Sequence, residues 1–517
     1  MSRRGLLALL ALVAVVAWLV ACGADRPDTG SAARAEPTET SAPTSASDPT
    51  PTTATTSSST SPPTTGTALS SQPSTTAAQL APQPGPDVGD PYYPTLGNAG
   101  VDALHYAIEL DYQPDTGHVD GRATIDMTAA IDGLSSFDLD LLGLDVLAVE
   151  VDGVPARFER TADEVVVELP SPVAAGTDLE ITVTYGGELA GAASRSQGFE
   201  VGWIVEPWGS YVANEPDGAR NWFPADDHPS DKATFDLAVT VPAAFDVVAT
   251  GRLAERMEVG DGRVRWRYRA SDPTATYLAS VAVGDFELVD GAGPGGLPLR
   301  HALTHETVDD AGLARTGEMI GVLAELFGPF PFETYGVLVV PESLGYALEN
   351  QTLTLMGADL MGVPALTETV LVHEVAHQWA GDSVSVERWS DIWLNEGMAT
   401  YGEWWWEEAT GGRTADAHAA EAHALAEQAD MAAPLDPGVD HLFDRTIYVR
   451  GALVIDALRR AVGDEVFVAI VREWVARFGG GSAGTDDFLA LVDELGGPGT
   501  AAELEPWLTS DRVPPRT

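Results

Sequence analysis

Between Ala103 and about Leu288, hydrophobic and polar positions alternate along the chain, as in the runs Tyr106 to Tyr112, Glu164 to Leu169, Leu179 to Tyr185 and Arg263 to Tyr268. A period of two with turn residues between the runs predicts antiparallel strands, one face buried and one in water. From Asp309 onward the period lengthens. Ala314 to Phe327, Glu368 to Ala380, Ile447 to Ala461 and Glu465 to Phe478 each present an apolar stripe at helical spacing. Two short apolar runs, Gly336 to Val340 and Gln351 to Met356, separate the first two helices and predict a small sheet packed on helices. The pattern implies an α+β protein of two domains. An antiparallel β-sandwich-like domain over residues 97–297 precedes a mainly helical domain with a small sheet over residues 298–517.

The first hundred residues follow neither pattern. Arg3 and Arg4 precede an unbroken apolar run from Gly5 to Ala21, followed by Cys22, the only cysteine in the chain. This is the layout of an export signal, with Leu19-Val-Ala-Cys22 standing where a lipobox carries its acylated cysteine. Residues 1–22 are therefore expected to be a lipoprotein signal peptide with Cys22 as the lipidation site. Residues 23–96, rich in Ser, Thr, Pro and Ala, lack the large apolar side chains needed to offset ordering entropy and are expected to form a disordered linker. The expected location is extracytoplasmic, lipid-anchored to the cell membrane.

Of 517 residues, 28 are Lys or Arg and 78 are Asp or Glu, a formal charge of −50. Such a field repels phosphate backbones, so no nucleic-acid partner is expected. The acids themselves are expected to form a hydrated surface, and His418 and His423 to be solvated helix residues. Lys232 is the only lysine. With a single cysteine, the folded part contains no internal disulfide.

The chemistry concentrates at His373-Glu-Val-Ala-His377, inside an apolar helical window. Four residues apart on a helix, His373 and His377 share a face and can reach one ion. Glu374 lies about 100° round the helix from His373, placed to act as a base without entering the coordination sphere. Nineteen positions beyond His377, Glu396 in a second helical stretch can return a carboxylate to the same ion. Two histidines and one glutamate predict one Zn2+ per chain with a position left open for catalysis.

These residues resemble the zinc aminopeptidases typified by aminopeptidase N, within the gluzincin metallopeptidases, and the likeness runs from about His105 to Glu473. Tyr346-Ala-Leu-Glu-Asn350 is similar to that family's Gly-Ala-Met-Glu-Asn exopeptidase motif. The resemblance implies that Glu349 binds the free α-amine of a peptide, with Tyr346, Ala347 and Asn350 lining the substrate cleft. Tyr448-Val-Arg-Gly-Ala452 resembles the Tyr-x-Lys-Gly-Ala segment, which implies that Tyr448 stabilises the oxyanion. Glu215, in Glu215-Pro-Asp-Gly-Ala-Arg220, matches a second amine-binding acid.

Three substitutions depart from the motifs: Tyr346 for Gly, Leu348 for Met and Arg450 for Lys, the first expected to narrow the cleft. Asp382 stands where the family more often has Asn, with no role to assign. The chain ends at Thr517, too soon after Tyr448 for the large C-terminal helical domain common in the family. The resemblance thus implies a thermolysin-like catalytic domain and a short-form, membrane-tethered aminopeptidase acting on peptides with a free N-terminus. A thermolysin-like metalloendopeptidase and a catalytically silent peptide-binding lipoprotein are the alternatives. Trp404, Trp405 and Trp406 are expected in the core.

Overall fold

The computed structural model describes residues 88–196, 200–305 and 312–516. Cys22, the apolar run before it and the Ser/Thr/Pro-rich stretch to residue 87 lie outside the described residues. Among the described residues, no helix is long and apolar enough to cross a membrane.

The alternating region builds an eight-stranded sheet. Its order is Arg252–Gly260, Arg263–Ala275, Lys232–Pro242, Val101–Gln113, His118–Ala129, Asp178–Glu188, Asp145–Val151, Val154–Pro155. The neighbours are antiparallel except at the centre. There Val101–Gln113 runs parallel to Lys232–Pro242, with His105 opposite Thr234. A parallel pair needs a long crossover, here the more than one hundred residues between Gln113 and Lys232. Three strands, Leu134–Asp140, Glu164–Val173 and Arg157–Arg160, form a second layer, and five short strands between Gly191 and Gly284 form a third sheet. Inward residues fill the space between the layers: Tyr106 stacks on Phe235 at 4.9 Å, with Phe223 edge-on at 5.6 Å. Gly121 is required where the Tyr185 ring crosses its strand, since a Cβ there would lie 2.4 Å from the ring.

The helical half carries a five-stranded sheet in the order Phe286–Ala292, Pro298–Thr304, Gly336–Val340, Leu353–Gly357, Ala347–Leu348. Among the described residues, eight helices follow its first two strands: α1 Thr316–Phe327, α2 Pro364–His377, α3 Trp393–Ala409, α4 Ala415–Ala429, α5 Arg445–Val462, α6 Asp464–Phe478, α7 Thr485–Gly496 and α8 Thr500–Thr509. The helices expected from periodicity are α1, α2, α5 and α6, each displaced by a few residues at most. One continuous apolar cluster joins them, and Trp404 and Trp406 of α3 are buried in it. Trp405 is half-buried beneath the Arg459 guanidinium at 5.3 Å.

Two polar expectations need correction. His423 is buried, its Nε2 2.7 Å from the Pro514 carbonyl, and His418 stacks on Trp404 and pairs with Glu407. Both histidines face the end of the chain or a neighbouring helix, which i, i+4 spacing cannot reveal. Nor are all the acids at the surface: Asp140, Glu164, Asp226 and Asp227 are buried in the β domain. The three aspartates serve irregular backbone. Asp140 Oδ2 accepts from the N–H groups of Gly97 and Asp227 at 3.0 and 2.9 Å, and Asp226 Oδ1 accepts from Asn98 at 2.9 Å. Asp140 lies opposite Glu164 in the strand register. Burial, with Asp227 adding its charge, pushes the Asp140 carboxyl up to about 8.

Candidate active site

Helix α2 begins at Pro364, whose missing N–H costs nothing at a first helical position, and ends at His377. His373 and His377 occupy its last turn with ring centroids 4.7 Å apart. Each turns one nitrogen away from the other. His373 Nδ1 lies 2.8 Å from Glu403 Oε1, and His377 Nδ1 lies 3.0 Å from the Ala380 carbonyl. Those bonds fix the tautomers so that both Nε2 atoms point inward. Glu396 in the first turn of α3 meets them, its Oε2 3.2 Å from His373 Nε2 and 3.4 Å from His377 Nε2.

Helix α5 brings Tyr448 to the same place, its ring 5.9 Å from that of His373. The approach of α5 to α3 depends on two glycines. A Cβ on Gly397 would lie 2.6 Å from the Gly451 backbone, and one on Gly451 would lie 2.9 Å from Gly397 Cα. These glycines follow Glu396 directly and Tyr448 by three residues, so the contact that permits the crossing also brings the two side chains together. Burial raises the Tyr448 phenol well above its ordinary value, and the charges of Glu396 and Glu215 add to the effect. It therefore remains a protonated donor.

Glu349 follows the edge strand Ala347–Leu348, which pairs antiparallel with Leu353–Gly357. Glu215 comes from the β domain, in the connection after the strand Gly209–Ala213. Oxygen atoms of Glu215, Glu349 and Glu396 all lie within 4.8 Å of one another. Glu215 Oε1 and Glu349 Oε1 are buried without hydrogen-bond partners. Burial raises both carboxyls: the Glu349 charge adds to the shift at Glu215, whereas at Glu349 the charge of Glu396 adds to it and His377 opposes it. Glu374 is buried on α2 with Oε2 unpartnered, and burial pushes it up to about 8 against the pull of His373 and His377. Tyr346 and Ala347 are half-buried at the edge of this cluster, and Asn350 is buried with Nδ2 unpartnered.

The model of the Peptidase M1 N-terminal domain matches residues 102–278, and that of the Peptidase family M1 domain matches residues 312–507. An M1 zinc metallopeptidase of Deinococcus radiodurans is 34% identical, with a TM-score of 0.77 over 83% of this chain and 98% of that one. The chain belongs to peptidase family M1.

Among curated M1 relatives, Aminopeptidase M1 of Arabidopsis thaliana is 28% identical over 58% of this chain, and Aminopeptidase 2 of Candida albicans 22% over 79%. The chain spans only 36% and 47% of their lengths. M1 membership implies a catalytic zinc ion, and the donor set fits one. Nε2 of His373 and of His377 and an oxygen of Glu396 lie within 4.8 Å of one another. Two neutral imidazoles and a carboxylate are the ligand chemistry of a catalytic zinc site with an open position.

Glu403 and Lys232 escape motif reading, and Asp382 gains surroundings that motif reading could not supply. Glu403 supports His373 from one face of α3, seven residues after Glu396, a heptad offset that a helical wheel would have flagged. Lys232 reaches from the β domain to the segment after α2. Its Nζ donates to the carbonyls of Asp382, Ser383 and Gly481 at 2.5, 3.0 and 3.4 Å. Asp382 is fully buried with neither carboxylate oxygen hydrogen-bonded. Burial and the Glu349 charge raise its carboxyl, while Lys232 opposes the shift.

Proposed function

We propose that this chain is an aminopeptidase that removes N-terminal residues from peptides. One observation carries the reading: Glu215 and Glu349 turn unpartnered carboxylate oxygens into the space beside Glu396, on the metal side of the cleft. Two acids there match a cationic α-amine and place the first peptide bond, and no other, over the metal donors. A catalytically inactive use of the cleft would not require Glu374 and Tyr448 beside the same donors. A relative supports the substrate class, since a variant of the Deinococcus radiodurans enzyme has been solved bound to a Tyr-Ser-Ala substrate.

His373, His377 and Glu396 would hold the zinc, which when bound supplies Lewis acidity for activating water and polarising a carbonyl. Glu374 accepts the proton of the attacking water and delivers it to the leaving amine as the C–N bond breaks. Tyr448 donates its hydroxyl proton in a hydrogen bond to the developing oxyanion. Arg3, Arg4, the apolar run and Cys22 support export and lipid anchoring, with the catalytic part held outside the membrane.

Free and N-acetylated peptides of one sequence test the activity. The free peptide is expected to be cleaved at its first bond and the acetylated one to be cleaved poorly. Glu349→Ala should lower kcat/KM for the free peptide about tenfold to a hundredfold, the value of one charge-assisted contact. Equal cleavage of both peptides at internal bonds would replace this reading with the endopeptidase one.

A further inference from the structure

The side chain next to the second metal-binding histidine does not face the metal donors' open side; it reaches sideways to the exopeptidase segment. Gln378 is fully buried. Its Oε1 accepts from the Thr352 N–H at 2.9 Å, and its Nε2 donates to the Glu349 carbonyl at 2.9 Å. One partner can only donate and the other can only accept, so the carboxamide has a single satisfactory orientation.

Thr352 sits in an unusual backbone state. Its φ is +68°, in the left-handed region, which a β-branched residue adopts only where its surroundings enforce it. Three contacts enforce it. Besides Gln378, the Gly251 N–H donates to Thr352 Oγ1 at 2.7 Å from the β domain, and the turn closes with Leu353 N–H on the Asn350 carbonyl at 2.9 Å. Gln351 fastens the same turn to the β domain through Thr274 Oγ1 at 2.7 Å.

We infer that Gln378 is a positioning residue that sets the spacing between the amine-recognising Glu349 and the metal ligand His377. The inference rests on the aminopeptidase reading above. Exopeptidase selectivity requires a fixed span between the α-amine and the scissile carbonyl, and misplacement by about 1 Å can cost about a hundredfold. Glu349 lies at one end of that span and His377 at the other. Only one backbone step separates His377 from Gln378, whose amide holds the Glu349 carbonyl itself. Without the amide, Thr352 loses one of the three contacts that hold it in the left-handed region, and the Glu349 carbonyl loses its tie to the end of α2, so the Glu349 turn can shift away from the metal donors.

The test compares L-tryptophan with its desamino analogue, indole-3-propionate, by calorimetric titration of the zinc-loaded protein. Wild type is expected to prefer the amine-bearing ligand. In Gln378→Met that preference should fall roughly tenfold to a hundredfold, with zinc content and affinity for the analogue unchanged. Should Gln378→Met not fold, Gln378→Leu carries the same test, since its side chain offers neither an acceptor for the Thr352 N–H nor a donor to the Glu349 carbonyl. A preference within twofold of wild type, or an equal loss for both ligands, overturns the positioning role. A wild type that does not discriminate between the ligands sinks the amine-recognition reading, and this inference with it.

Discussion

Glu403 offers the sharpest test of how the fold prepares the metal donors. Its carboxylate meets His373 Nδ1 at 2.8 Å, with the two side chains 18% and 12% exposed. A hydrogen bond with a charged partner contributes about 1.5–3 kcal/mol and a neutral one about 0.5–1.5. Glu403→Gln keeps the shape and an acceptor but loses the charge, so the expected loss is about 1–1.5 kcal/mol, or about tenfold in zinc affinity. Glu403→Leu removes the acceptor altogether and frees the tautomer, for which about tenfold to a hundredfold is the usual range for such outer partners. Competition with a chromophoric chelator at neutral pH measures both constants. Glu407, four residues on and paired with His418, is the control: Glu407→Gln should leave zinc affinity unchanged. If folded Glu403→Leu binds zinc as tightly as wild type, the carboxylate does not prepare His373 and the argument from tautomer and orientation is wrong.

Glu374→Gln should retain stoichiometric zinc while kcat falls by about 10²–10⁴, and Tyr448→Phe should lower kcat by about 10²–10³; metal analysis with steady-state kinetics checks both. Lys232→Met leaves three carbonyls without their shared donor. It should cost about 1–3 kcal/mol in denaturant unfolding, the penalty of buried acceptors left unsatisfied. Asp140 bears on the pH dependence of stability. Its folded-state value of about 8 lies above the ordinary 3.8, so its contribution is complete below about 4 and is lost as pH rises through about 8. Asp140→Asn should therefore gain thermal stability over wild type progressively from about pH 4 to pH 8, with no further gain above that. A constant difference across that range would count against a protonated Asp140.

Periodicity located some of the long strands, among them Val101–Gln113 and Asp178–Glu188, and the helices α1, α2, α5 and α6, because side-chain alternation and the apolar stripe are local properties. The strand from Gly336 to Val340 has the expected bounds, and α5 and α6 lie within two residues of theirs. The parallel ladder between Val101–Gln113 and Lys232–Pro242 was not legible, because alternation fixes which face a residue takes and is silent on the direction of its neighbour. Buried acids were missed for a related reason. Composition counts charges, but only the fold decides which irregular N–H groups need a carboxylate, as Gly97 and Asp227 need Asp140.

By itself the sequence determined the donor set and its base. His373 and His377 lie one helical turn apart, Glu374 lies between them, and Glu396 has the residue type to complete the set, so local geometry almost forces the chemistry. The tertiary structure decided everything that depends on a contact across elements. Glu403 reaches His373 from thirty residues away, Gln378 reaches the Glu349 carbonyl across twenty-nine, and Lys232 crosses from the other domain over one hundred and fifty. The paired glycines of α3 and α5 matter only because the two helices cross there. Such partners are chosen by packing, which brings together residues whose separation along the chain carries no periodic signal.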